Sequence, residues 1–438
     1  MTKLLQRVMN IEPEEVAPIL MAALYFFFIL TALMILRPTR EALGMTSGLD
    51  TVRWLFMLTL VATLVLNPVF GLLVSRYRRL VFIAAIYFFF AANLVGFYVL
   101  LVLAPTAVGE ATGRVFYVWM SVFNLFVTMV FWALMADRFT LDQGKRLFGL
   151  IAVGGTAGAI FGSAIAWTLA ERIGAPQLLL LASGFLALAV GSAWLVTRLT
   201  TEVRQEGSVG ATDAANRAVI GGSAWEGFKA VFRSRYLLGI SAYVLILAVL
   251  VTFLYFTRLQ MVAAIGEGVD EQTALFAQID FITQVSTLVL QAVVAGHLMK
   301  RVGVSVTLAL LPITVALGYI GLAMVGTLTA LIIFEAVFRA VQRAIMRPAR
   351  ETLFTVVSRE DKYKSKAFVD TFVYRGGDAV GAQVEGGLVR TGMGLAALAA
   401  VAVPLAIVWA ALGIWLGREQ QRQKNREPSS RELQPHEA

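Results

Sequence analysis

Apolar runs of about 20 residues recur along this chain from residue 16 to residue 417, and they constrain its fold more than any other feature. A helix of that length crosses roughly 30 Å of hydrocarbon. The runs do not alternate between apolar and polar at every second residue, as membrane β-strands do. We place twelve membrane-spanning helices at residues 16–36, 54–74, 80–104, 115–136, 148–170, 177–197, 237–257, 274–296, 304–324, 328–346, 367–390 and 394–417.

The overall composition excludes several classes of protein. With 58% hydrophobic residues, 15% charged residues and a mean hydropathy of +0.76, the chain does not match a soluble globular protein. It has no cysteine and only two histidines, His297 and His436, so disulfides, thiolate chemistry and histidine-based metal or catalytic sites are not expected. We therefore predict an all-α polytopic membrane protein that is not an enzyme and has no cofactor and no metal site.

Positively charged residues are distributed unevenly between alternate loops. If both termini are cytoplasmic, the inside segments hold 27 of the 37 lysines and arginines, the outside segments hold 7, and 3 lie within spans. This bias follows the positive-inside rule and predicts an even number of spans in a bacterial inner membrane. It also explains the net charge of +9 without nucleic acid as a partner. The first span is too long for a cleavable signal peptide and is expected to be a retained signal anchor.

The longest connection between spans, residues 198–236, divides the chain into two halves. It contains the stretch RQEGSVGATDAANRAVIGGS, whose high content of Gly, Ala and Ser is typical of a linker. We expect six-helix halves at 1–197 and 237–417, with a cytoplasmic linker between them. The polar segment 418–438 is predicted to be a disordered cytoplasmic tail.

The two halves show weak similarity to each other. The glycine-rich run 154–158 in span five recurs as 376–381 in span eleven, and both runs are expected to permit close helix packing. Loops of similar pattern follow span two (71–79) and span eight (296–303). Two parallel repeats of six spans predict a major facilitator-like fold. The first loop resembles the signature loop of that superfamily, with Ser75 where an acidic residue is usual.

Two arginines and an acid lie at the end of span one. Arg37, Arg40 and Glu41 are placed at the predicted outer mouth, where two guanidinium groups would attract anions. Arg258 ends span seven, 221 residues after Arg37, and this repeat-related position favours a role at the mouth. The alternative is an interfacial anchor with a local ion pair.

Polar side chains form a stripe along span four and another along span eight. Such stripes face protein or water, because lipid cannot satisfy their hydrogen bonds. Hydrogen bonding between helices would explain the stripe of span four, whereas the carboxylate of span eight favours a cavity. We take Asn124, Asp280 and Gln284 as candidate substrate-binding residues. The stripes consist of Tyr117, Ser121, Asn124 and Thr128, and of Asp280, Gln284, Thr287 and Gln291.

Residues 335–385 hold 16 of the 65 charged residues of the chain. A charge in hydrocarbon costs at least ~2.5–3.5 kcal/mol, so these side chains are expected to face protein or a wet cavity. In span ten, Glu335, Arg339 and Arg343 have helical spacing, and a guanidinium can bind phosphate or carboxylate through two hydrogen bonds. The alternative is a buried network that pairs these arginines with Glu335, Asp280 or Asp378.

Span eleven carries four more charged residues. Asp370, near the inner end, is expected to pair with loop arginines as a gate or structural latch, and Asp378, near mid-span, is expected to serve substrate binding or proton coupling. The candidates for substrate binding are Arg37, Arg40, Asn124, Asp280, Gln284, Arg339, Arg343 and Asp378. The candidates for coupling or gating are Glu41, Glu335, Asp370, Arg375 and Glu385.

Four stretches resemble the ATP/ADP exchanger (nucleotide transporter) family of the major facilitator superfamily, especially its shorter bacterial relatives. They are residues 37–41, 126–150, 276–291 and 347–382, of which the last is the most specific. Because the stretches touch both halves, the resemblance implies the whole fold of that family.

The chain also departs from the family's pattern. Nucleotide exchangers carry Arg-x-x-Lys-Asp at the end of span one, and the spacing is kept here at 37–41. They carry a lysine in span eleven where this chain has Asp378. Their carboxylates in spans four and seven correspond to neutral positions near Met120, Ser121 and Thr252.

We therefore expect a monomeric secondary active transporter in the lipid bilayer. It would bind a small anionic or phosphorylated solute near the midplane between two six-helix halves and expose it alternately to each side. Nucleotide exchange of the ATP/ADP type and translocation of a lipid or amphiphile are the alternatives. A membrane-embedded enzyme is disfavoured, because the chain has no histidine cluster and no sizeable extramembrane domain.

Overall fold

The computed structural model describes residues 12–76, 79–103, 106–206, 224–294, 298–392 and 394–426. Within these ranges every regular element is helical, which confirms the predicted fold class. Parts of the two repeated loops, residues 207–223 of the predicted linker and the chain beyond residue 426 lie outside the described residues.

Twelve helices correspond in order to the twelve predicted spans. They are α1 (Val16–Met45), α2 (Leu49–Arg76), α3 (Arg79–Leu103), α4 (Thr106–Arg138), α5 (Leu141–Ile173), α6 (Ala175–Glu206), α7 (Arg235–Ile265), α8 (Val269–Val294), α9 (Leu298–Val325), α10 (Leu328–Val341), α11 (Tyr374–Arg390) and α12 (Leu395–Arg426). Shorter elements are the α-helices Ala224–Arg233, Arg347–Thr352 and Arg359–Phe368, and the 3-10 helices Pro13–Glu15 and Leu353–Val356.

Ten of the twelve helices each have, over the described residues, a segment that is long and apolar enough to cross a membrane. Among the described residues, helices α10 and α11 have no such segment. A π-helical turn, Gln342–Met346, follows α10, and another, Val369–Val373, precedes α11. Single π turns inside helices occur frequently at functional sites. The candidate residues Arg343 and Asp370 lie in these two turns. The charged residues lower the hydropathy of these two spans, and the π turns interrupt their α-helices, so a test of hydropathy and helix length does not identify them.

Two elements extend into the segment predicted to be a linker. Helix α6 continues to Glu206, and the short helix Ala224–Arg233 precedes α7. The ring of Phe228 contacts Phe368 with a centroid distance of 5.8 Å, so this short helix packs against the helix that leads into α11. The linker is therefore partly helical.

The predicted disordered tail begins as a helix. Helix α12 continues to Arg426, so the prediction of disorder is wrong for residues 418–426. The amide of Gln420 donates a hydrogen bond of 2.6 Å to the carbonyl oxygen of Thr352. This contact fixes the end of α12 to the segment after α10, and sequence polarity could not reveal it.

The contacts group the chain into two compact units. Unit 1 comprises Met1–Asp213 and Val262–Gln284, and unit 2 comprises Ala214–Met261 and Val285–Ala438. The division therefore falls within α7 and α8 as well as in the predicted linker. The end of α7 and the first part of α8 belong to the same unit as α1 to α6.

In unit 1, α1 and α5 approach each other backbone to backbone. A Cβ atom added to Gly154 or Gly158 would lie 2.3 or 2.2 Å from the carbonyl oxygen of Ala23 or Phe27. The hydroxyl of Thr31 also donates to the Gly158 carbonyl at 3.2 Å. Only glycine fits at these positions, which is the packing role predicted for this run.

In unit 2, α7 and α11 repeat this arrangement. A Cβ atom added to Gly377 or Gly381 would lie 2.9 or 3.0 Å from the carbonyl oxygen of Leu245 or Val249. These α7 residues lie 222 positions after the two α1 residues that face the glycines of α5. The internal repeat is therefore present in helix packing as well as in sequence.

Candidate functional site

The first candidate pair joins α1 to α8 within unit 1. Arg37 Nε lies 3.7 Å from Asp280 Oδ2, and the carboxylate is buried while the guanidinium is partly exposed. One helical turn further along α8, the amide of Gln284 contacts Met34 Sδ at 3.7 Å. Asp280 and Gln284 of the polar stripe predicted for α8 therefore lie against α1, and Arg37 pairs with a residue from the other half of the sequence.

Two further contacts attach the same part of α8 to unit 1. Asp270 Oδ1 accepts a hydrogen bond of 2.7 Å from the backbone N–H of Ala175, the first residue of α6. A carboxylate is favourable there, because the N–H groups at a helix N-terminus carry partial positive charge. The rings of Trp167 and Phe281 contact each other at a centroid distance of 5.6 Å. The residues of 262–284 are thus fixed by polar and aromatic contacts.

Arg40 is held by its own helix and by α4. Its Nε donates to the carbonyl oxygen of Tyr117 at 3.1 Å, and its Nη1 donates to Glu41 at 3.1 Å. The guanidinium carbon lies 3.8 Å from the centroid of the Tyr117 ring, which is a cation–π contact. Gly44 provides room for that ring, because a Cβ there would lie 2.6 Å from it. This arrangement matches the alternative of a local ion pair.

The polar stripe of α4 changes its environment along the helix. Tyr117 is buried, Ser121 is half-buried and Asn124 is exposed. The hydroxyl of Thr128 lies 3.5 Å from Asn124 Oδ1. Asn124 is therefore the most exposed member of the stripe.

A buried charge cluster lies in unit 2, between α7 and α10. Glu335 Oε1 lies 3.3 Å from Arg258 Nη1 and 3.6 Å from Arg339 Nε. Glu335 and Arg258 are 2% and 3% exposed, and Arg339 is 15% exposed. The three side chains, called the α7–α10 charge cluster below, carry two positive charges and one negative charge. Glu335 Oε2 has no hydrogen-bond partner among the described residues.

Asp378 occupies a buried position between α7 and α11. Its Oδ1 accepts a hydrogen bond of 3.2 Å from the hydroxyl of Thr252, and its Oδ2 lies 3.2 Å from Arg375 Nη1. The close packing of Gly377 and Gly381 on α7 brings Asp378 to Thr252. Asp378 thus pairs with an arginine of its own helix and not with Arg339 or Arg343.

The two remaining membrane candidates of unit 2 have different surroundings. Glu385 is fully buried and accepts a hydrogen bond from the amide of Gln260 on α7. Arg343 is half-buried in the π turn after α10. Over the described part of the chain, no group of three or more His, Asp or Glu residues could hold a metal ion.

Asp370 pairs with an arginine of the connection between α10 and α11, as predicted. Arg350 Nη2 lies 3.2 Å from Asp370 and 3.6 Å from Glu351, which also pairs with Lys366. Partial burial acts to raise the pKa of the Glu351 carboxyl, but the hydrogen bond and charge of Lys366 and the charge of Arg350 bring this pKa below its usual value. These charges tie the segment after α10 to the helix before α11.

Several partners in these sites were not predicted from the sequence. Arg258 was expected near the outer mouth by analogy with Arg37, but it is buried against Glu335. Thr252 and Gln260, which bind the two carboxylates of α11, are neutral residues in an apolar helix. The signals available in the sequence were the i, i+4 spacing of Glu335 and Arg339 and the i, i+3 spacing of Arg375 and Asp378.

Comparisons with known proteins agree with this architecture. The model of the Major Facilitator Superfamily matches residues 16–346. A bacterial homolog of the human lysosomal transporter Spinster, solved inward-facing and unoccupied, is similar in structure with a TM-score of 0.58, at 14% identity over 94% of this chain and 99% of that one. A mutant of the nucleoside transporter NupG gives a TM-score of 0.56, at 14% identity over 93% and 99%. No curated protein matches the sequence.

Proposed function

This chain belongs to the major facilitator superfamily, and from that premise we propose that it is a secondary active transporter for a small anionic or phosphorylated solute in a bacterial inner membrane. Alternating access, in which a solute is exposed first to one side and then to the other, is the mechanism that two inverted or parallel repeats permit. The internal repeat in the packing of α1 with α5 and α7 with α11 supports it.

The observation that carries the choice of an anion is the α7–α10 charge cluster. Arg258 and Arg339 both contact one carboxylate, Glu335, inside membrane-spanning helices. Charged side chains at that depth face protein or a water-filled cavity and mark solute pathways. Guanidinium groups gathered at such a place attract an anionic solute.

Arg339 is the member of the cluster that a solute can contact. Arg258 and Glu335 are almost completely buried, whereas Arg339 retains exposed surface. Its guanidinium lies against the Phe338 ring, 5.4 Å from the centroid, and its Nη1 lies 3.4 Å from Gln342 Oε1. These contacts orient the planar guanidinium, which suits two-point binding of phosphate or carboxylate.

Two ion pairs are suited to gating at the two predicted membrane faces. Arg37 with Asp280 joins α1 to α8 near the predicted outer side. Arg350 with Asp370 joins the segments next to α10 and α11 near the predicted inner side. Each pair has one partly exposed partner, Arg37 at 29% and Asp370 at 35%, which water can hydrate when the pair separates during a transport cycle.

Replacing Arg339 with glutamine is expected to reduce transport of the anionic solute by roughly 10- to 100-fold, since a hydrogen bond to a charged group contributes about 1.5–3 kcal/mol. Uptake into proteoliposomes measures this effect. Arg114→Gln is the control, because Arg114 is an exposed arginine of α4 whose contacts, with Glu110 at 3.6 Å and with Ser47 Oγ at 2.9 Å, are exposed as well. Wild-type kinetics in the Arg339 variant would remove this arginine from the mechanism.

Nucleotide exchange is the second candidate function, and the stretch 347–382, similar to the ATP/ADP exchangers, favours it. NupG, which has a similar fold, is a nucleoside transporter. Labelled ATP should then enter proteoliposomes faster when they contain ADP. If nucleotides neither enter nor stabilise the purified protein, the solute is a different anion.

A further inference from the structure

We propose that Arg375 contacts the anionic group of the solute and that Asp378 positions it from the buried side. This assignment rests on the proposed function and names a second solute-binding guanidinium in addition to Arg339. It also exchanges the roles expected from the sequence, where Asp378 was the binding residue and Arg375 a gating residue.

The exposure of the two side chains separates their roles. Asp378 is 5% exposed, whereas Arg375 is 41% exposed although it lies in a membrane-spanning helix. A guanidinium cannot face lipid at that depth without a cost of several kcal/mol, so its exposed surface faces water. Arg375 therefore lies along the aqueous path of the solute, and Asp378 does not.

Asp378 is held in a fixed position by its partners. Thr252 donates to one carboxylate oxygen, and Arg375 contacts the other, both at 3.2 Å. Gly377 and Gly381, on either side, press α11 against the backbone of α7. A carboxylate with both oxygens bound in this way fixes the orientation of the guanidinium that it contacts.

The guanidinium keeps donors for a solute. It has five N–H groups in a planar fork, and Asp378 contacts its Nη1 nitrogen. Donors of this kind suit a phosphate, whose three oxygens accept several charge-assisted hydrogen bonds.

The test uses the absence of cysteine from the chain, because Arg375→Cys then provides the only thiol. In native membranes this thiol should react with a cationic, membrane-impermeant methanethiosulfonate. Phe372→Cys is the matched control, since Phe372 lies on the same helical segment and is 46% exposed but apolar. The reaction at position 375 should be at least roughly tenfold faster, because only water-facing thiols ionise and react readily.

A second measurement addresses the anion. Inorganic phosphate should raise the thermal stability of the wild-type protein, and the Arg375→Cys protein should lose most of this shift. Modification with an ethylammonium methanethiosulfonate restores a positive charge and should restore the shift, whereas modification with the anionic ethylsulfonate reagent should not. A merely structural role of Arg375 would not respond to the sign of the added charge.

The outcomes distinguish this assignment from the proposed function. Equal reaction rates at positions 375 and 372 would overturn the aqueous position of Arg375. The contact of Arg375 with the anion would be overturned if phosphate still raised the thermal stability of the Arg375→Cys protein and this rise did not depend on the charge of the attached reagent. If neither phosphate nor any organic anion stabilises the wild-type protein, the proposed function fails, and the anion contact of Arg375 fails with it.

Discussion

Replacement of Glu335 by glutamine should destabilise the folded protein by about 3–5 kcal/mol, because it leaves buried guanidinium groups without their shared carboxylate. Arg258 is 3% exposed and its Nη1 lies 3.3 Å from Glu335 Oε1. Glutamine preserves the size of the side chain and one hydrogen-bond acceptor, so the loss of folding stability measures the effect of the missing charge. Unfolding of the purified protein in mixed micelles measures the effect.

Two controls make this result specific. Glu110→Gln removes the carboxylate of an exposed pair with Arg114, and it should cost at most about 0.5 kcal/mol. The double variant Arg258→Leu with Glu335→Leu removes both buried charges and should recover much of the lost stability. If Glu335→Gln is as stable as Glu110→Gln, the α7–α10 charge cluster does not hold its charges in a low-dielectric environment.

Cross-linking α1 to α8 should abolish transport completely. Met34 Sδ and the Gln284 amide are 3.7 Å apart, next to the ion pair of Arg37 with Asp280. In the double variant Met34→Cys with Gln284→Cys, a short bis-methanethiosulfonate should join the two helices and prevent their separation. Alternating access requires such movement at the outer side in each cycle. Reduction should restore uptake, which excludes damage to the fold.

The matched control joins two helices that are expected to move together. Phe27 and Phe161 contact each other across α1 and α5 at a centroid distance of 5.5 Å, close to the glycine packing of these helices. Cysteines at these two positions, joined by the same reagent, should leave transport unchanged. Continued uptake by protein that is fully cross-linked between α1 and α8 would show that this contact does not open.

The helical fold could be predicted because it depends on local hydropathy and on loop charge. Ten described helices pass a length and hydropathy test, and the positive-inside bias supports an even number of spans. The π turns Gln342–Met346 and Val369–Val373 could not be predicted, since they depend on how α10 and α11 pack. The helical end of α12 was missed for a similar reason, because Gln420 is held by the distant residue Thr352.

The membrane charges could be identified from the sequence, but their partners could not. Each charge in a span is visible as an exception to hydropathy. The partner of each charge depends on contacts across long distances in the chain, such as Arg258 with Glu335 and Thr252 with Asp378. Sequence spacing indicated only the pairs on one helix, Arg339 with Glu335 and Arg375 with Asp378.

Two of the positions at which the chain departs from the nucleotide exchanger pattern lie together in the structure. Asp378 stands where that family has a lysine, and Thr252 stands near the position of a family carboxylate. In this structure the two residues are in direct contact at 3.2 Å. The two changes therefore affect one site, where Arg375, three residues earlier on α11, pairs with Asp378.

The central claim is that the solute carries a negative charge. Counterflow into proteoliposomes of the wild-type protein tests it directly with a matched pair of solutes, a nucleoside monophosphate and the same nucleoside without phosphate. The same comparison applies to a sugar phosphate and its sugar. In at least one pair, we expect the phosphorylated solute to accumulate and its neutral counterpart not to do so. Accumulation of the neutral solutes without their phosphorylated forms would contradict it.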